Sequence, residues 1–305
     1  MMRWFELLLS SSLVLLVATG VVGDTAKQAL FEQSAREIDA FDFVEVTIKV
    51  AGPTAKNPFR DVAVTGQFQQ DNGSPIKAEG FCDCPDGGLY RIRFMPTKPG
   101  RYSYTVQFRQ GDQQQTHSGK FIAQNGKRRG PVRIDKKHPW HFIWEGTGDH
   151  YFWNGTTTYW LLGWQDEDII WQAIDRLDRL KVNRLRVALC GRTKSGDRWF
   201  EPLVVNTDKF QFRLNPWVAE RPDSVENPGF DVTRYNVPFW QKCERMLCHA
   251  REKGMIISII FYLDGKDPGV DPFGKRMGNE DEQRYYRYGV ARLAAFSNVM
   301  LDVAN

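Results

Sequence analysis

Apolar and polar residues alternate along short segments in the first part of the chain, and the rhythm changes in the second. Phe43-Val44-Glu45-Val46-Thr47-Ile48-Lys49-Val50 alternates strictly, and Asp61 to Phe68 does so more loosely. Leu89 to Phe94 and Tyr102 to Phe108 repeat the pattern. Asn72-Gly73, Asp86-Gly87-Gly88 and Pro99-Gly100 separate these runs, as turns do. Short strands at this spacing predict an immunoglobulin-like β-sandwich over residues 41–125. It is one by architecture only, because a Cys–Trp–Cys signature is lacking. Residues 24–40 read as a polar leader to it, and 126–140, rich in Gly, Pro and Lys, as a linker.

From residue 141 the pattern becomes strand–helix–strand. Tyr151 to Trp160 reads as a strand, and Asp166 to Leu180 as a helix. That helix places Ile169, Ile170, Ala173, Ile174, Leu177 and Leu180 on one face. Val182 to Cys190 is an apolar, β-branched strand. Residues 191–235, carrying Pro202, Pro216, Pro222 and Pro228, read as an irregular excursion with aromatic side chains over the strand ends. A helix over Val237 to Lys253 stops at Gly254, a left-handed C-terminal signal. Met255 to Leu263 is almost continuously apolar, as a parallel strand buried on both faces should be. A helix over Glu280 to Phe296 and a strand over Val299 to Ala304 complete the series. The expected class is a β-sandwich followed by an α/β (β/α)₈ TIM barrel of which about the first four strands, 141–305, are present. A doubly wound nucleotide-binding sheet would need a glycine-rich first loop, and Gly163 stands alone there.

Composition adds an address and removes some partners. Arg3 precedes an apolar run from Leu7 to Val22, with small residues at Val21-Val22-Gly23. Residues 1–23 are therefore expected to be a signal peptide, which implies a secreted or periplasmic protein with no membrane association after cleavage. With 41 basic and 37 acidic residues the net charge is +4, too balanced to point to nucleic acid. Five cysteines in no framework spacing read as free thiols. Neither the His138/His141 spacing nor the Asp264, Asp267, Asp271 loop has a full ligand set, so neither metal nor cofactor is expected. Absence of a Gly-x-Ser-x-Gly elbow argues against a serine esterase.

The segments Tyr151–Trp160, Val182–Val187 and Asn298–Asn305 resemble the first, second and fourth strands of clan A glycoside hydrolases. Their order resembles in particular the apiosidase-like group of secreted bacterial proteins, with its N-terminal immunoglobulin-like domain of unknown function. The resemblance implies a secreted hydrolase acting on polysaccharide or glycan by a retaining two-carboxylate mechanism. It places Arg186 in support of the nucleophile. It also makes Asn305 a ligand of a substrate hydroxyl, just before the position of the acid/base glutamate. Thr156-Thr157 departs from the Asp-Thr usual in the group. Neither catalytic carboxylate falls within the sequence, so the chain is expected to be a truncated form, inactive alone. The other reading is a non-catalytic secreted module that binds carbohydrate or protein.

The residues themselves agree on where a site would lie. Barrel enzymes work at the C-terminal ends of the strands, and strand parity turns Arg186, Ala188 and Cys190 to the interior. A guanidinium there needs an anionic partner, either a catalytic carboxylate or a structural one such as Asp302. Parity also turns Ser258, Tyr262 and Asp264 inward, and Tyr262 and Asp264 are candidates for bonding sugar hydroxyls. Trp160 and Trp164 are candidate stacking faces for a sugar ring, with loop packing as the other role for Trp164. Oligomeric state is not legible in these features.

Overall fold

A computed structural model of the chain describes residues 29–191, 207–225, 227–263, 272–273 and 278–304. The segment read as a signal peptide, Trp199, Phe200, Asp264 and Asn305 lie outside the described residues. Strands dominate, with three α-helices among the described residues.

Nine strands form two sheets that share one core. The first has the order β1 (Ala29–Gln33), β3 (Val44–Val50), β7 (Leu89–Phe94), β6 (Phe81–Cys82), all antiparallel. The second runs β2 (Glu37–Asp39), β9 (Gln113–Gln124), β8 (Gly100–Gln110), β4 (Val62–Gln70), β5 (Ile76–Glu79), and only the β2–β9 pair is parallel. The alternation that predicts the strands is what fills the space between the sheets. Val44, Val46 and Ile48 are fully buried, and Phe68 of one sheet stacks on Phe94 of the other at 4.5 Å. Residues 24–40, expected to be a polar leader, contribute β1 and β2. These are edge strands, which need only one apolar side: Ala29 is buried, and Phe31 stacks on His117 at 5.2 Å.

The stretch read as a linker is also structured. β10 (Val132–Ile134) pairs with β11 (Phe142–Trp144), and β11 with β12 (His150–Tyr151). Val132, Trp144 and Tyr151 close this small sheet against Ile256. The run Tyr151–Trp160, expected to be one strand, is two, with β12 in the small sheet and β13 (Gly155–Thr157) opening a parallel one. The break falls at Asn154, whose N–H donates to the Asn183 side chain.

The parallel sheet has the consecutive order β13, β14 (Arg184–Ala188), β17 (Ile256–Tyr262), β18 (Val299–Ala304). Every residue of β17 is buried, as its almost continuously apolar run requires. Between the strands run α1 (Glu167–Arg179), α2 (Val237–Glu252) and α3 (Glu280–Leu293). Asp166 caps α1, and Ile170 and Ile174 carry its buried stripe, but Leu180 lies past the helix end and is 63% exposed. Gly254, at φ +67°, takes the left-handed conformation that ends α2. Within the stretch expected to be irregular, β15 (Trp217–Ala219) and β16 (Phe230–Tyr235) form a hairpin. Trp217 is fully buried there against Tyr285 and Phe273 rather than overhanging the strand ends.

The two-sheet unit and the parallel sheet meet over a buried polar network. Arg93 donates to Glu45 at 2.7 Å and to Glu244 at 2.8 Å, and Arg292 donates to Glu244 and to Asp83, both at 2.8 Å. Arg91 completes it by pairing with Asp83 and Glu45. Three guanidinium groups thus meet three carboxylates, and the charge is balanced where water is excluded.

Candidate functional site

The open face of the parallel sheet is set by strand parity on β14. Leu185 and Val187 are fully buried on the helix side, while Arg184 and Arg186 point the other way and are half-buried. Register brings Arg186 opposite Ser258 and Ser258 opposite Met300. The Arg186 guanidinium donates to the Tyr159 hydroxyl at 3.1 Å and lies 4.0 Å from the Asp302 carboxylate. It also sits 5.5 Å from the centre of the Tyr159 ring. Arg184 donates to the Ser258 hydroxyl at 2.9 Å and lies 4.3 Å over Trp153. Burial pushes the Arg184 guanidinium down from its usual range, against the opposing pull of Asp302.

This face is partly open to water: the Arg186 and Asp302 side chains are 26% and 35% exposed. Asp302 is the only acidic residue in the four strands. The arrangement offers a fixed cation, a phenol and one carboxylate to a polar ligand. Of these, Arg186 and Asp302 are legible from parity. Arg184 and Tyr159 are the positions that sequence reasoning left without a role, although the Arg-x-Arg spacing itself puts Arg184 beside Arg186 on one face.

The other expected site residues are placed differently. Trp160 is half-buried, with its indole N–H bonded to the Phe212 carbonyl at 3.0 Å and its ring edge-on to Tyr159. Trp164 packs on Phe210 at 4.8 Å, and its carbonyl accepts from the Lys242 ammonium at 2.8 Å, so its role here is to hold the loop. Tyr262 is 5% exposed, inside a ring cluster with Phe273, Tyr285 and Tyr286. Asp264 and Asn305 lie outside the described residues.

Among the described residues no group of three or more His, Cys, Asp or Glu gathers as a metal site. His141 instead bonds His150, ring nitrogen to ring nitrogen, at 2.9 Å. No disulfide links any of the five cysteines, and burial pushes the Cys82 thiol up to about 12, which keeps it protonated. No described helix is long and apolar enough to cross a membrane.

Residues 37–109 match a family described as a domain of unknown function, DUF5060. No curated protein matches the chain significantly. Among solved structures, a candidate glycoside hydrolase from Bacteroides vulgatus ATCC 8482 superposes with a TM-score of 0.69 at 24% identity. The match covers 89% of this chain and 50% of that one, so the chain spans about half the length of that relative. A family 5 glycoside hydrolase from the same organism has a TM-score of 0.39 at 14% identity, over 58% of this chain and 33% of that one. A Parabacteroides merdae β-glucuronidase has 0.31 at 13%, over 91% and 28%. The structural neighbours are glycoside hydrolase-like proteins. At these identities the likeness is one of fold, carried by the Bacteroides vulgatus structure that spans both the two-sheet unit and the parallel sheet.

Proposed function

We propose that the chain is the front part of an exported glycan-active protein. In this reading an immunoglobulin-like sandwich over 41–125 leads, through 126–140, into the first four strands of a glycosidase-type (β/α)₈ barrel over 141–305. Arg186 carries the reading: a guanidinium held by Tyr159 and Asp302 on the open face of a parallel sheet, in a fold shared with glycoside hydrolase-like neighbours. Retaining hydrolysis needs two carboxylates about 5 Å apart, one as acid/base and one as nucleophile. Arg186 would orient and charge-stabilise the nucleophile, Asn305 would hold a sugar hydroxyl, and Trp160 would flank the ring. The half-length match to the Bacteroides vulgatus relative supports the view that the remaining strands, and both catalytic carboxylates, belong to a longer protein. An address of periplasm or medium follows from the segment over 1–23.

A binding module without catalysis is the second reading, favoured by Asp302 being the only acid in the four strands. One experiment tests the glycan site that both readings share. The chain is incubated with a panel of plant and algal oligosaccharides, with hydrolysis followed by product chromatography and binding by titration calorimetry. The expected result is binding without hydrolysis. Arg186→Met should weaken binding about tenfold through loss of a charged hydrogen bond, with a stability change under about 1 kcal/mol because the side chain is partly exposed. Unchanged affinity in that variant would remove Arg186 from the site.

A further inference from the structure

A cleft of about 340 Å³ opens between β4 and the α3 helix, on the outside of the molecule and away from the open face of the parallel sheet. Four guanidinium groups line it. Arg60 stands just before β4, Arg109 lies on β8 opposite Ala63, and Arg284 and Arg287 come from one side of α3, a turn apart. Glu79 is the acidic residue in the lining, and Asp281 pairs with Arg284. Among the described residues Arg60, Arg109 and Arg287 make no ion pair and are exposed. Positive charge is therefore in surplus inside a concave space, where cations gathered on one side repel one another unless an anion bridges them.

The floor is rigid and its polar groups are already used. Tyr288 donates its hydroxyl to the Cys82 carbonyl at 2.9 Å and packs edge-on to Phe59 and Phe81. The two walls come from different parts of the fold, and the Arg93–Glu244–Arg292–Asp83 network fixes their spacing. Guanidinium groups in a fixed fork suit oxyanions, to which they donate two parallel bonds. A second basic pocket is different in kind. There Arg128 and Arg251 are paired with Asp42, and Lys253 with Asp175, so most of its charge is neutralised.

We propose that the arginine cleft is an accessory subsite for the sulfate or carboxylate group of an acidic glycan. The glycan part of this assignment rests on the function proposed above. The cleft would hold a charged group of the polymer at a place separate from the Arg186 face.

Titration calorimetry at low salt tests it with four probes: inorganic sulfate, a sulfated galactan oligosaccharide, an oligogalacturonate and a neutral xylo-oligosaccharide. At least one acidic oligosaccharide is expected to bind more tightly than the neutral one. An Arg109→Ala/Arg287→Ala double variant should lose about tenfold of that affinity, since each removed group is a charge-assisted donor. A Lys127→Ala/Arg129→Ala double variant removes the same charge elsewhere and should stay within about twofold. All four side chains are exposed, and matching melting curves confirm folding. Equal losses in the two double variants would overturn the proposal, because general electrostatics would then account for binding. Inorganic sulfate binding as tightly as the oligosaccharides would overturn the glycan assignment. Equal binding of acidic and neutral oligosaccharides, lost in Arg186→Met, sinks the cleft and leaves the glycan reading standing. Failure of every oligosaccharide to bind removes both.

Discussion

Replacing Arg292 with Met is expected to lower the unfolding free energy by about 3–5 kcal/mol, the cost of breaking a buried ion pair from one side. Arg292 is fully buried and donates to Glu244, to Asp83 and to the Tyr288 hydroxyl, each at 2.8 Å. A Met side chain fills similar space but leaves two carboxylates with fewer donors in a dry interface. Because the network joins the two-sheet unit to the parallel sheet, the urea transition of the variant should also split into two. An unfolding free energy within about 1 kcal/mol of the parent would show that water enters and solvates the acids.

Acid should act on the same network. Burial raises the Asp83 carboxyl, but Arg292, and then Arg91, more than offset this and hold it below the usual carboxylate range. A group lowered in the folded state stabilises above its unfolded pKa, and that stability is lost as pH falls through the folded value. Stability should therefore drop on acidification below the ordinary carboxylate range, and Asp83→Asn should make that dependence shallower. A parallel pH profile in the variant would remove Asp83 as its source.

The Trp240→Ala change should cost a similar 3–5 kcal/mol, for a different reason. Trp240 is fully buried, with Tyr288 at 5.2 Å, Tyr285 at 6.0 Å and Tyr235 at 6.3 Å around it. Its indole N–H donates to the Pro216 carbonyl at 2.8 Å, which ties α2 to the segment before β15. On α3 a glycine faces it. A Cβ at Gly289 would lie 2.5 Å from Phe261 and 3.2 Å from Trp240, so the helix approaches as closely as the rings permit. Removing the indole leaves a cavity that these stiff neighbours cannot collapse into. Trp240→Phe should recover much of the packing and still lose the hydrogen bond, about 1 kcal/mol. Thermal melts of the three proteins give the ranking, and an alanine variant within 1 kcal/mol of the parent would contradict it.

How far the sequence reveals this depends on whether a signal is local. β17 and β18, and the starts of α2 and α3, fall where the apolar runs, Pro238 and the acidic turn at Glu280 put them. β1, β2 and β10 were not legible because an edge strand buries one side only, and the partner of β2 lies far along the chain. The β15–β16 hairpin was hidden by Pro222 and Pro228, which sit in its connection rather than in its strands. At the site, parity was enough to bring out Arg186 and its neighbour Asp302. The burial of Tyr262 was not legible, since Phe273 and Tyr285, which cover it, follow in a separate stretch of chain.

The interface network also has a timetable. Arg93 bonds the carbonyl of Arg292 across 199 residues of chain, roughly 10–40 s of synthesis at ordinary ribosomal rates. Through most of that interval Arg93 has Glu45 beside it but lacks Glu244, which follows 151 residues on, and the α3 backbone comes later still. The two sheets thus emerge first with a charged, half-finished flank. That flank becomes a buried interface only when α3 has been made, so a helix synthesised long after the two sheets completes their surface.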